Sequence, residues 1–260
     1  MTSDQVSKDI QKGSQDWIHA IQEGKGYTPI APDSYRKLLK NIDEYSFFRT
    51  LKKYVTSGDK VLEAGCGWAF SSFALAQKHI NVIPVDISGT LIASLVKLKR
   101  ELGQPFDQFL SPLEGDIFHL DQIIEKQDII FSDGTYEHFT KNERIIFLQK
   151  IKSSLSLGGK FIISVPNMHN PFFGLVVGNA MPLCFPFTMK SLSLELIAGG
   201  FQILEQGYSF VNPGFEQWAK RKWMVIPIRM CNGIFRFLPT RMKILFCAHF
   251  YCVAELSKPQ

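Results

Sequence analysis

The fold of this chain is decided by residues 60–67, Lys-Val-Leu-Glu-Ala-Gly-Cys-Gly, in which a short apolar run leads into an acid and two closely spaced glycines. An amphipathic stretch begins near Phe70, so the glycines lie at a predicted strand-to-helix turn. Glycine lets the backbone approach a ligand where a Cβ atom would clash, and the amides at the start of the following helix point into the same space. The turn therefore predicts a cradle for a nucleotide.

The residues around the glycines indicate which nucleotide is bound. A dinucleotide-binding turn has the pattern G-x-G-x-x-G, with the pyrophosphate at the helix N-terminus. In this chain Phe70 stands at the third glycine position, and Glu63 precedes the first glycine by two residues. A carboxylate there repels a pyrophosphate and attracts a cationic amino group. The turn therefore favours a ligand with such a group over a nicotinamide cofactor.

Polar side chains also end the next three predicted strands. A strand over residues 81–86 ends in Asp86, whose carboxylate can accept both ribose hydroxyls. Asp116 closes a third strand and offers its carboxylate to an exocyclic amine, and Ser132 closes a fourth over 128–132. Because helices predicted over about 69–79, 89–102, 140–155 and 188–199 alternate with strands, we expect an open, mostly parallel sheet with helices on both faces. Ligands of such sheets bind at the carboxyl ends of the strands.

In this order and spacing the motifs resemble those of the class I S-adenosylmethionine-dependent methyltransferases that act on small molecules. The resemblance covers residues 60–167 and includes Leu-Gly-Gly-Lys at 157–160 before the fifth strand. It implies an enzyme with S-adenosyl-L-methionine as cofactor, and a Rossmann-like, seven-stranded sheet of order 3-2-1-4-5-7-6 with the last strand antiparallel. It also assigns the glycine turn to the methionine part of the cofactor, Asp86 to the ribose and Asp116 to the adenine. The predicted cofactor site comprises Glu63, Ala64, Gly65, Cys66, Gly67, Asp86, Ile87, Asp116, Ile117 and Ser132.

The segment after the fourth strand carries the candidate for acid–base chemistry, His138. A histidine titrates near neutral pH and can deprotonate a hydroxyl, although a loop histidine that packs against the cofactor is the structural alternative. The Glu137–His138 pair is similar to that of the quinone-biosynthesis methyltransferases, some of which bind a divalent ion through an acid three residues before the pair. Gly134 stands at that upstream position, so we predict no metal.

Two segments supply the predicted acceptor site and its cover. Residues 1–57 predict an N-terminal helical cap, and residues 58–260 the methyltransferase domain. Residues 170–189 combine three prolines with an apolar sequence and predict a substrate-facing loop rather than a membrane span. We expect Tyr27, Phe172 and Phe173 to contact a small acceptor that is apolar or lipid-like.

An insertion over residues 212–248 interleaves aromatic and basic side chains and carries a net charge of +6, whereas the rest of the chain carries −1. Three interpretations fit it: a C-terminal lid over the substrate, contact with an anionic membrane surface, or nucleic-acid binding. Because the patch is short, rich in Trp and Phe, and set in an otherwise near-neutral chain, the lid and the membrane are favoured over nucleic acid.

Composition limits the possible metal sites, disulfides and cellular location of the protein. The five cysteines are scattered without a C-x-x-C pair, which indicates neither a zinc site nor a disulfide framework. The polar N-terminus lacks the apolar stretch of a secretory signal, so we expect a cytoplasmic protein. A non-enzymatic S-adenosylmethionine-binding scaffold and a nicotinamide-dependent oxidoreductase are the alternatives. The presence of Glu63, Asp86 and Asp116 together favours the enzyme.

Overall fold

The computed structural model describes residues 30–170, 184–209, 237, 239, 242 and 247–257. Tyr27, Phe172, Phe173 and nearly all of the 212–248 insertion lie outside the described residues. Seven strands are described: β1 Val61–Ala64, β2 Val82–Asp86, β3 Leu113–Glu114, β4 Gln127–Asp133, β5 Leu155–Pro166, β6 Phe201–Ser209 and β7 His249–Leu256. The eight described α-helices are α1 Pro32–Lys40, α2 Ser46–Tyr54, α3 Phe70–Ala76, α4 Gly89–Leu102, α5 Phe106–Phe109, α6 Leu120–Ile123, α7 Lys141–Ser154 and α8 Met189–Ala198.

The strands form one sheet of order β3-β2-β1-β4-β5-β7-β6. The strands from β3 to β5 pair in parallel, whereas β7 is antiparallel to both of its neighbours. This arrangement confirms the predicted seven-stranded, mostly parallel sheet. It places the carboxyl ends of β1, β2 and β4 on one edge, where the predicted site residues occur.

Both faces of the sheet are buried, as is usual for a parallel sheet covered by helices. Ile130 and Phe131 are consecutive residues of β4 and are both 0% exposed, yet they belong to separate hydrophobic clusters. Because successive side chains of a strand point to opposite faces, the two clusters lie on opposite faces of the sheet. Burying each large apolar side chain contributes about 1.5–3 kcal/mol, and the two cores hold the strand ends in fixed positions.

The helices before β1 pack on the same face of the sheet as α3, and α2 also reaches β6 at the far edge. Phe47 and Phe48 of α2 are fully buried in the same cluster as Phe73 of α3. Tyr35 of α1 donates a hydrogen bond of 2.6 Å from its hydroxyl to the carbonyl of Trp68, which follows the glycine turn. The N-terminal segment is therefore part of the structure around the site.

The boundaries of some elements differ from those predicted. Helix α3 covers only Phe70–Ala76, because Ala69 and His79 on either side adopt left-handed backbone conformations. Strand β3 is only two residues long, so Asp116 lies in the turn beyond it. No helix in the described part of the chain is both long enough and apolar enough to cross a membrane.

Candidate active site

The glycine turn after β1 is fixed by its backbone and by a threonine from the loop after β4. Gly65 has φ +71°, and a Cβ atom at this position would lie 2.4 Å from Cγ2 of Thr135. Thr135 Oγ1 donates a 2.8 Å hydrogen bond to the carbonyl of Gly65, while the Gly65 amide donates to the carbonyl of Val85 at 3.0 Å. A residue with a side chain would therefore be both strained and sterically blocked at Gly65.

Glu63 lies at the end of β1 beneath this turn and is only 4% exposed. Its Oε2 accepts a hydrogen bond from the hydroxyl of Ser72, at 2.5 Å. Burial raises the pKa of Glu63 to about 8, and the negative charges of Asp133 and Asp86 add to this effect. The carboxyl group is therefore mostly protonated at pH 7, and a cation placed beside it would favour its ionised form.

Asp86 connects the end of β2 to the glycine turn. Its Oδ2 accepts from the amide of Gly67 and its Oδ1 from the amide of Ser88, both at 3.0 Å. Burial raises the pKa of Asp86, and these two amides act in the opposite direction. A carboxylate has about four acceptor positions, so Asp86 can hold the turn and still accept hydroxyl groups from a ligand.

Asp116 is the next acid along the same edge. Its Oδ1 accepts from the amide of Phe118 at 2.9 Å, and Nδ1 of His119 lies 3.0 Å from its Oδ2. Asp116 is therefore the N-cap of the 3₁₀ turn Ile117–His119. Ile117 is buried and Ile87 is half-buried, so both predicted neighbours of the adenine lie close to this edge.

Ser132 lies between the two central strands. It is fully buried, and its hydroxyl donates a 3.0 Å hydrogen bond to the carbonyl of Ala64. The contact ties the carboxyl end of β4 to the residue before the glycine turn. Ala64 and Cys66 are buried in the same region.

His138 lies in the 3₁₀ turn Tyr136–His138, directly after Glu137. Nδ1 of His138 is 3.4 Å from Sγ of Cys184, and Nε2 is 3.9 Å from Oε1 of Glu137. Glu137 is fully buried, and neither of its carboxyl oxygens has a hydrogen-bond partner within the described ranges. Burial raises the pKa of Glu137 to about 8, with a further contribution from the charge of Asp133, so this side chain is mostly protonated at neutral pH.

A second polar group at this edge is centred on Asp133 and was not predicted from the sequence. The hydroxyl of Tyr45 donates to Oδ2 of Asp133 at 2.6 Å, and Nδ1 of His249 lies 3.7 Å from Oδ1. Nδ1 of His249 is also 3.0 Å from Oγ of Ser164. Asp133 itself was visible in the sequence as an acid after the fourth strand, but its partners are distant in the chain and no local pattern connects them.

The structure thus brings most of the predicted site together at one edge of the sheet. Glu63, Gly65, Gly67 and Asp86 form a continuous cradle, with Asp116 at the next strand end and His138 beyond β4. Among the described residues, no group of three or more His, Cys, Asp or Glu side chains is placed to hold a metal ion. The arrangement offers buried carboxyl groups to a cationic, hydroxyl-bearing ligand.

Comparison with known proteins agrees with this arrangement. The model of the family described as "Methyltransferase domain" matches residues 55–198, which is more than half of the chain. A comparison with curated protein sequences found no match.

Several solved structures share the fold at low sequence identity. The glycopeptide N-methyltransferase MtfA, in complex with S-adenosyl-L-methionine, is 13% identical with a TM-score of 0.57, and the alignment covers 82% of this chain and 93% of that one. A TehB-like S-adenosylmethionine-dependent methyltransferase from Corynebacterium glutamicum is 17% identical with a TM-score of 0.52, over 87% and 98% of the two chains. The [4+2]-cyclase SpnF is 14% identical with a TM-score of 0.57, over 82% of each chain. At these identities the similarity establishes the fold.

Proposed function

The chain belongs to the methyltransferase-domain family and is an S-adenosylmethionine-dependent methyltransferase, and we propose that it transfers the methyl group to an oxygen or nitrogen atom of a small, apolar or lipid-like acceptor. The observation that carries this proposal is the cradle at the end of β1, in which Asp86 accepts from the amide of Gly67 and Glu63 accepts from the hydroxyl of Ser72 in the following helix. Methyl transfer from a sulfonium needs mainly alignment of the nucleophile with the methyl group, and a rigid cradle supplies that alignment.

We assign the parts of the cofactor along the edge of the sheet. Glu63 and the turn from Ala64 to Gly67 hold the methionine part, Asp86 the ribose and Asp116 the adenine, with Ile87 and Ile117 on either side of the base. The burial of Glu63 supports its assignment to the methionine part. Burial raises the pKa of this carboxyl group, and the cationic amino group of the cofactor would favour its ionised form and pair with it. Ser132 lies at the floor of the same site.

The acceptor class is a proposal from the sequence. Tyr27, Phe172 and Phe173 would contact an apolar acceptor, and His138 would take the proton of its nucleophile. The contact of His138 with Cys184 supports this role, because Cys184 is the residue that directly follows residues 171–183 in the sequence.

The direct test is transfer of labelled methyl groups. The purified chain is incubated with S-adenosylmethionine labelled in the methyl group and a chloroform-soluble extract of the source cells. We expect label in the organic phase, and loss of most of it with Asp86→Ala. Asp128→Asn is the matched control, because Asp128 lies near the opposite end of β4, where its carboxylate accepts from the amide of Lys60.

Each outcome of this assay separates the proposal from an alternative. Label in water-soluble products alone would contradict the apolar acceptor. Binding of S-adenosylhomocysteine without any transfer would favour the non-enzymatic scaffold, and a response to NAD instead would favour the oxidoreductase. A Phe172→Ala variant that transfers at the wild-type rate would refute the assignment of the apolar pocket.

Peripheral contact with the cytoplasmic face of a membrane is a separate proposal. It rests on the sequence of residues 212–248, where basic and aromatic side chains alternate, a composition suited to anionic lipid surfaces. Triple charge reversal at Lys220, Arg221 and Lys222 should lower co-sedimentation with vesicles of phosphatidylserine and phosphatidylcholine. Equal co-sedimentation of the variant and the wild type would remove this proposal.

A further inference from the structure

The carboxyl end of β4 carries a polar network that the cofactor cradle does not include. Tyr45 donates from its hydroxyl to Oδ2 of Asp133, and Nδ1 of the buried His249 lies 3.7 Å from Oδ1 and 3.0 Å from Oγ of the buried Ser164. Burial, followed by the charge of Asp133, raises the pKa of Tyr45 well above its ordinary value. Tyr45 therefore remains a hydrogen-bond donor and fixes the orientation of the Asp133 carboxylate.

The network lies on the side of the sheet edge opposite to the ribose site. β4 pairs with β1 on one side and with β5 on the other, and β7 pairs with β5. Ser164 belongs to β5 and His249 to β7, whereas Glu63 and Asp86 belong to β1 and β2. Asp133 follows Ser132, which is bonded to β1, and its charge contributes to the raised pKa of Glu63. Asp133 thus lies between the cofactor cradle on β1 and β2 and the part of the sheet edge that β5 and β7 form.

One oxygen of Asp133 lacks a donor. Oδ2 is occupied by Tyr45, but Oδ1 is buried without a hydrogen-bond partner in the described part of the chain, and its nearest imidazole nitrogen is 3.7 Å away. A buried acceptor without a donor costs about 1–3 kcal/mol. The side chain as a whole retains 16% exposure, and an O–H or N–H group of a ligand that reached Oδ1 would supply the missing hydrogen bond.

We propose that Asp133 binds the nucleophile of the acceptor through Oδ1 and takes its proton during methyl transfer, so that the acceptor is a hydroxyl or amine compound. The lone pair of the acceptor oxygen or nitrogen forms a bond to the methyl carbon, and the carbon–sulfur bond breaks with its electron pair on sulfur. The sulfonium becomes a neutral thioether, and the O–H or N–H proton passes to Asp133 and then to solvent. This inference rests on the proposed function and assigns to Asp133 the role that the sequence predicts for His138.

The experiment compares Asp133→Asn with His138→Gln and the control Asp128→Asn. Asparagine keeps the size of the side chain and can still accept from Tyr45, but it cannot take a proton. Two quantities are measured for each variant: the affinity for S-adenosylhomocysteine by calorimetry, and the rate of label transfer from S-adenosylmethionine to the chloroform-soluble extract. Since general-base catalysis contributes about 10²–10⁴-fold, we expect Asp133→Asn to transfer at least about 100-fold more slowly, with an affinity within about twofold of wild type.

The results that would overturn the inference differ from those that would overturn the proposed function. Transfer by Asp133→Asn at more than about one tenth of the wild-type rate would exclude Asp133 as the proton acceptor. A large loss of S-adenosylhomocysteine affinity in that variant would make Asp133 a cofactor ligand instead, and a greater loss of transfer in His138→Gln would return the role to His138. Absence of transfer by the wild type itself would refute the proposed function.

Discussion

Binding of the cofactor should release a proton from Glu63. Because burial raises the pKa of this carboxyl group to about 8, about 0.9 of the molecules carry the proton at pH 7. Ionising it at that pH costs about 1.4 kcal/mol, and the cationic amino group of S-adenosylhomocysteine beside Glu63 would offset this cost. The affinity should therefore rise as the pH increases from 6 to 7, by close to tenfold if Glu63 is fully ionised in the complex.

Titration calorimetry at pH 7, in two buffers that differ in ionisation enthalpy, measures this proton directly. We expect release of about 0.9 proton per S-adenosylhomocysteine bound by the wild type, and of almost none by Glu63→Gln. Ser72→Ala is the matched variant, because it removes the side-chain hydrogen bond of Ser72 that favours the charged form of Glu63 while leaving the carboxyl group and the Ser72 amide in place. The Ser72→Ala variant should bind S-adenosylhomocysteine more weakly than wild type and should still release a proton.

Equal binding heats in the two buffers for the wild-type protein would refute this reasoning. That result would mean that Glu63 either is already ionised in the free protein or stays protonated in the complex. The first case would contradict the raised pKa of Glu63, and the second would mean that Glu63 does not receive the amino group of the cofactor.

Three further predictions concern stability. The pKa of Glu137 is about 8 in the folded protein, above its unfolded value of 4.5. Its contribution to the unfolding free energy is therefore fully present below pH 4.5 and is lost as the pH rises through 8. In urea titrations between pH 5 and 7.5, the unfolding free energy of Glu137→Gln should decline less steeply than that of wild type, by up to about 1.4 kcal/mol per pH unit. Gly65→Ala should be more destabilising than Gly158→Ala, since the two glycines have similar φ, +71° and +78°, but only Gly65 has atoms in the way of a Cβ; equal midpoints in urea would contradict the steric argument. Phe161→Ala should lower the unfolding free energy by about 3–5 kcal/mol, because Phe161 is fully buried. Leu157→Ala in the same strand should change the unfolding free energy little, because Leu157 is fully exposed. Similar losses from the two substitutions would be inconsistent with the described core.

The parts of the fold that follow local rules were predictable from the sequence. The alternation of apolar strands with amphipathic helices predicted the parallel sheet, and helix α7 begins with a capping box between Thr140 and Glu143 close to the expected boundary. The positions of the glycine turn and Asp86 at one edge of the sheet were predictable, because each lies at the end of a predicted strand. These residues hold one another directly in the structure.

The remaining parts depend on contacts between residues that are far apart in the chain. The hydrogen bond from Tyr45 to Asp133 joins residues 88 positions apart, and His249 reaches the same carboxylate from the last strand. Helix α3 is shorter than predicted because the left-handed conformations at Ala69 and His79 delimit it, and such conformations are uncommon for residues other than glycine. The second polar group of the site could therefore be found only after the sheet had been assembled.

The most direct test of the central claim is calorimetric titration of the purified chain with S-adenosylhomocysteine, together with the Asp86→Ala variant. The account predicts micromolar binding by the wild type, about −8 kcal/mol, and at least about tenfold weaker binding by the variant, which loses both the predicted ribose contact and the hydrogen bond to the Gly67 amide. Absence of binding by the wild-type chain, or an affinity unchanged by Asp86→Ala, would contradict it.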